Sequence, residues 1–112
     1  MKYNEALHTI GSRLRLSMHA KNVRTSELAR ATGIAPYVIV DFIDEVKTPS
    51  LAACKMMAAF LKVDYEWLAC LDNSTPIHVA LFKGRGKVSS EEWAPVKEYA
   101  NFILKSYEKK NH

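Results

Sequence analysis

The sequence predicts an all-α protein: five short helices around one core, then a connector and a longer C-terminal helix. Three observations predict it. Apolar residues recur at steps of three and four near both ends of the chain, at Leu7, Ile10, Leu14 and Met18 and again at Trp93, Val96, Ala100, Ile103 and Tyr107. Two short helical runs in the first half are parted by Gly33, a helix stop, and Pro36, a helix starter. Finally, Leu51–Leu61 is apolar nearly all round, the mark of a central, buried helix.

Taken in order, residues 5–20 read as an amphipathic helix, with Arg13 and Arg15 falling away from its apolar stripe and Asn22 as its stop. A second helix runs from Arg24 or Thr25 to Thr32 and ends at Gly33, where a positive φ permits a sharp turn. A third spans about Ala35 to Asp44, with Pro36 in its first turn and Val38, Ile39 and Phe42 on its apolar face. Residues 45–50 form a loop. The apolar helix Leu51–Leu61 follows, and Asp64 caps a short fifth helix, Tyr65–Leu71. Residues 72–76 are a turn-rich linker, and Ile77–Phe82 is a short apolar run, a strand or an extended packing segment. Lys83–Lys87 is a basic, glycine-flexible loop. Ser89 and Glu92 then form a capping box for a last helix reaching about Lys109, with Pro95 placed to kink it or delay its onset. The chain divides into residues 1–71 and a region 72–112 of connector and C-terminal helix.

Composition narrows the functional classes. At 112 residues, 48% hydrophobic and 25% charged, the chain can fill a core and has no disorder signature. No run approaches the roughly 20 apolar residues that cross a bilayer, and the N-terminus lacks the pattern of a secretory leader, so the expected location is the cytoplasm. A net charge of +4 suits a nucleic-acid partner without requiring one. Cys54 and Cys70 lie in apolar settings and are expected to be reduced, buried thiols. His8, His19, His78 and His112 are scattered without ligand spacing, and Glu91 and Glu92 suit a helix start, so no metal, cofactor or catalytic set is expected.

The informative feature is the order of elements in residues 10–71. A short helix, a glycine turn and a second short helix make a helix-turn-helix, with Ala29 small enough for the helix crossing and Gly33 in the turn. The ordered set Ile10-Gly11, Arg13-Leu14-Arg15, Glu27-Leu28-Ala29, Thr32-Gly33-Ile34, Ile39, Phe42, Thr48-Pro49-Ser50-Leu51 and Val63–Leu68 resembles the Cro/repressor (XRE-type) helix-turn-helix family of bacteria and phages. That resemblance implies a five-helix lambda-repressor-like domain and a sequence-specific transcriptional regulator, expected to repress from a pseudo-palindromic operator as a homodimer on double-stranded DNA, without catalysis.

By the same resemblance, Thr25 and Ser26 would meet a phosphate or base edge, and Ala35, Pro36, Tyr37, Val40 and Asp41 would face the major groove. Lys47 and Thr48 would touch backbone phosphate. Arg13, Arg24, Arg30 and Lys47 would supply salt-dependent affinity, and Tyr37 with its neighbours the choice of sequence. The surface admits a second reading. Tyr37 and Val40 with Asp41, Asp44 and Glu45 also make an apolar and acidic patch suited to a protein partner, as in an antirepressor, adaptor or antitoxin-like module. Lys83, Arg85 and Lys87 form either a phosphate-contacting arm or a solvated loop. The stripe Trp93, Val96, Tyr99, Ala100, Ile103 and Tyr107 is expected to form a dimer seam, the alternative being packing onto its own domain.

Overall fold

The computed structural model describes residues 7–110, with side chains for residues 7–106. Among the described residues there are seven helices and no strand: α1 (Ile10–Ala20), α2 (Thr25–Thr32), α3 (Pro36–Ile43), α4 (Leu51–Leu61), α5 (Tyr65–Leu68), α6 (Ile77–Leu81) and α7 (Ser90–Lys110). The protein is all-α.

Local side-chain chemistry sets most helix ends. α1 begins at Ile10 rather than residue 5, because Thr9 and Ser12 form a capping box: the Ser12 N–H donates to Thr9 Oγ1 at 3.1 Å and the Thr9 N–H to Ser12 Oγ at 3.3 Å. Residues 1–6 lie outside the described residues. Gly33 ends α2 in the left-handed region, φ +77°. Ser50 Oγ accepts from the Ala53 N–H, and Asp64 Oδ1 from the Glu66 N–H, to start α4 and α5. α5 stops at Leu68, short of the expected Leu71: Cys70 turns left-handed, and the Leu71 and Asp72 N–H groups fold back onto the Glu66 carbonyl. The Ser89–Glu92 capping box is present, and α7 starts at Ser90 with Pro95 inside it, so the proline does not delay its onset.

Ile77–Phe82 is neither strand nor extended segment but the helix α6. Ile77, Ala80 and Leu81 stand at helical spacing and are buried together, and the Asp64 N–H donates to the Ala80 carbonyl at 3.0 Å. A run of six residues fits both periods, and here the core selects the helical one.

α1 is the centre of the packing. It lies against α3, α5 and α7, while α2 packs on α3 and α4. Both Leu14 and Leu16 of α1 are completely buried. They project from nearly opposite sides of the helix, so α1 must be covered on two faces. α7 covers one of them with Val96, Ala100 and Ile103, which are 4%, 1% and 0% exposed. The expected dimer seam is thus turned inward: its central residues belong to the same core as Leu14, Leu28, Ile39, Met57 and Trp67, with Trp93 and Tyr99 half-buried at its edge. The Tyr107 side chain lies outside the described residues. One cluster runs from Leu7 to Ile103, so the boundary at residue 71 marks a change in sequence pattern within a shared core.

α4 is buried on one side only. Ala53, Cys54, Met57, Ala58 and Leu61 face the core, while Leu51, Met56 and Phe60 are 43–48% exposed. Its near-uniform apolar composition therefore overstates how centrally it sits.

Candidate nucleic-acid interface

The helix-turn-helix is built by α2, Gly33 and α3. Leu28, Ala29, Ile39 and Phe42 hold its inner side. A second contact seats the far end of α3. Gly11 on α1 lies against the carbonyls of Phe42 and Ile43, so close that a Cβ there would stand 2.7 Å and 2.8 Å from their oxygens.

With the inner side buried, the opposite side of α3 faces solvent. Tyr37 is 68% and Val40 42% exposed, Pro36 is exposed, and Ala35 and Asp41 are half-buried. On α2, Arg24, Ser26 and Arg30 are exposed and Thr25 is half-buried. Arg24 sits just before the first turn. Its N–H donates to Glu27 Oε1 at 3.0 Å, and its guanidinium lies 3.5 Å from the same carboxylate. The first-turn N–H groups of a helix have no partner inside it, so Thr25 and Ser26 stand where an anion is favoured.

The turn after α3 carries an arrangement that spacing does not announce. Glu45 adopts φ +63°, and the N–H groups of Val46 and Lys47 both donate to the Asp41 carbonyl, at 2.9 Å and 3.2 Å. The chain doubles back, bringing Lys47 Nζ to 3.6 Å from Asp41 Oδ2 and 5.9 Å from the Tyr37 ring. Tyr37, Asp41 and Lys47 thus form one cluster, and the Asp41 charge is balanced locally. Asp44 and Thr48 are exposed, and Asp44 has no ion pair among the described residues. Val46, which no sequence spacing singles out, is 70% exposed beside them.

Arg13 is not part of this surface, contrary to the sequence expectation. It is completely buried. Its Nε donates to the Leu7 carbonyl at 2.6 Å and its Nη1 to the Trp67 carbonyl at 2.6 Å and the Asp72 carbonyl at 3.3 Å. Nη2 donates to Asn73 Oδ1 at 2.8 Å, and the guanidinium lies 5.2 Å from the Trp67 ring centre. Burial pushes its pKa down, opposed by Cys70 and Asp72. A guanidinium enclosed in this way cannot reach a phosphate.

The basic loop stands elsewhere, between α6 and α7. Gly84, at φ +80°, makes its turn. Arg85 is tied to Glu92, with Nη2 2.9 Å from Oε1, and this hydrogen bond holds the Glu92 carboxyl below its ordinary value. Lys83 and Lys87 are exposed and make no ion pair among the described residues. Lys21 and Arg85 both lie over the Phe82 ring, at 4.9 Å and 5.7 Å.

Cys54 is buried and Cys70 half-buried, and burial pushes both thiols up, away from the reactive thiolate. No group of three or more His, Cys, Asp or Glu among the described residues could hold a metal, and no helix among them is long and apolar enough to cross a membrane. No protein-family model, curated protein or solved structure matches the chain.

Proposed function

We propose that this protein is a sequence-specific DNA-binding regulator, a repressor that places α3 in the major groove of an operator. The observation that carries the reading is the cluster of Tyr37, Asp41 and Lys47 on the solvent side of α3. An uncompensated carboxylate there would repel the duplex. Paired with Lys47, Asp41 is free to accept from a cytosine amine, while Tyr37 and Val40 meet thymine methyl groups. Arg24, Arg30 and Lys47 supply phosphate contacts, and Thr25 and Ser26 offer backbone N–H groups at the start of α2. One eight-residue helix reaches only a few base pairs, so the reading requires two copies on a two-fold symmetric site. Of the α7 stripe, Val96, Ala100 and Ile103 are buried within one copy.

A second reading rests on Val46. Together with Tyr37, Val40 and the exposed Asp44 it extends an apolar and acidic surface across the end of α3, the composition of a protein interface. In vitro selection of randomised duplex DNA at near-physiological salt separates the two. A two-fold symmetric motif is the expected result, with half-sites one helical turn apart, about 34 Å. Failure of folded protein to enrich any sequence would overturn the operator reading in favour of the protein partner.

A further inference from the structure

α6, the basic loop and the start of α7 enclose a cleft of about 690 Å³, within the usual size of small-molecule sites, roughly 300–1,000 Å³. Its walls are aromatic. Phe82, His78 and Trp93 line it, the last two edge to face with ring centres 5.8 Å apart. Its rim is cationic: Lys83, Arg85 and Lys87 stand against a single carboxylate, Asp64. Asp64 caps the start of α5 and Arg85 is held by Glu92, while Lys83 and Lys87 make no ion pair among the described residues. Positive charge is crowded here. The Lys21 ammonium, on Phe82, has its pKa lowered first by burial and then by Arg85 and Lys62. Cations gathered beside apolar walls are stabilised by an anion that also fills those walls.

We propose that this cleft binds a small aromatic anion, its ring against Trp93 and Phe82 and its acidic group toward Lys83 and Lys87. The ring recovers the aromatic contact that the half-open walls lack, and the acid meets the two free ammonium groups. The site uses neither α3 nor the turn after it, so it stands whether or not α3 reads DNA. It gives the protein a ligand-binding function separate from that surface.

Trp93 provides a direct readout, since the other tryptophan, Trp67, is fully buried in the core. The full-length protein is titrated with 8-anilinonaphthalene-1-sulfonate while tryptophan emission is followed, and in parallel with its uncharged counterpart, N-phenyl-1-naphthylamine. Saturable quenching with one-site stoichiometry is expected, its amplitude falling in Trp93→Phe to the share that comes from Trp67 by energy transfer. Affinity for the sulfonate falls at least about tenfold in the Lys83→Gln/Lys87→Gln double variant, whose exposed positions leave the fold intact by circular dichroism. The uncharged dye binds at least about tenfold more weakly than the sulfonate. Three results would each overturn the proposal: quenching that does not saturate, a quenching amplitude undiminished in Trp93→Phe, or equal affinity with the lysines removed or the sulfonate absent.

Discussion

The guanidinium of Arg13 donates a 2.6 Å hydrogen bond to the backbone carbonyl of Trp67, at the end of α5. Its remaining partners are the Leu7 and Asp72 carbonyls and the Asn73 side chain, so one side chain joins the segment before α1, the end of α5 and the linker. Arg13→Met leaves those buried acceptors without donors. A destabilisation of about 2–4 kcal/mol is expected in urea unfolding, with DNA affinity of the folded fraction unchanged. Unchanged stability with a salt-dependent loss of affinity would instead assign the guanidinium to a phosphate.

Gly11→Ala isolates the seat of α3. Alanine favours a helix over glycine by about 1 kcal/mol. Here, however, the added Cβ would meet the Phe42 and Ile43 carbonyl oxygens at 2.7 Å and 2.8 Å, and backbone atoms cannot swing aside. A net loss of about 1–3 kcal/mol is expected, together with weaker operator binding as α3 is pushed outward. A rise in melting temperature would show that the contact is slack.

Tyr37 and Lys47 should separate specificity from affinity. Lys47→Ala is expected to weaken cognate and random duplexes alike and to reduce the salt slope by about 1. Tyr37→Ala should remove about 1–3 kcal/mol of discrimination and spare random DNA. Asp41→Asn frees Lys47 and should raise affinity for random DNA. Stability moves little in all three, since the Asp41–Lys47 pair is half open to water and such pairs contribute about 0–1 kcal/mol. Equal losses on both duplexes for Tyr37→Ala would remove it from base reading.

Ile103→Ala tests where α7 belongs. A cavity beneath a fully buried isoleucine costs about 2–5 kcal/mol. Because the contact lies within one copy, the wild-type and variant melting temperatures should differ by the same amount at every protein concentration. A gap that widens on dilution would place Ile103 between subunits.

Acid should loosen the linker. The Asp72 carboxylate accepts from the Thr75 hydroxyl first, and also from the Ser74 N–H and hydroxyl and the Thr75 N–H, which holds it far below the ordinary carboxylate range. Its folded pKa is lower than its unfolded one. The stabilisation is therefore complete above the unfolded value, about 3.9, and is lost as pH falls through and below it. Glu92, held down by Arg85, adds the same sign. The urea midpoint of the wild type should exceed that of Asp72→Asn at about pH 5, with the gap closing toward about pH 2. A gap independent of pH would mean that the carboxylate charge plays no part.

What could be read from the sequence is what a few neighbouring residues decide. Gly33, Asp64 and Ser89 act within one turn of themselves, and each marks its helix end as expected. Arg13 could not be read so. An arginine beside an apolar stripe looks solvent-facing, and its burial depends on acceptors at Trp67, Asp72 and Asn73. The α7 stripe shows that a face is covered without showing by what, and only Leu16, off the α1 stripe, hinted that α1 needs a second cover. The Asp41–Lys47 pair depends on Glu45 taking a left-handed turn that favours glycine.

The long reach of the α1 contacts bears on how the chain is made. A ribosome releases the N-terminal residues first, so α1 emerges with its charge unsheltered and Leu16 bare. Shelter for the charge arrives with Trp67 and Asn73, and full cover of α1 only with α7. The helix α3 is thus synthesised early, while the α1 against which it packs is covered late. Translation halted before α7 would yield a sticky fragment fit for chaperones and proteases, not a smaller working protein.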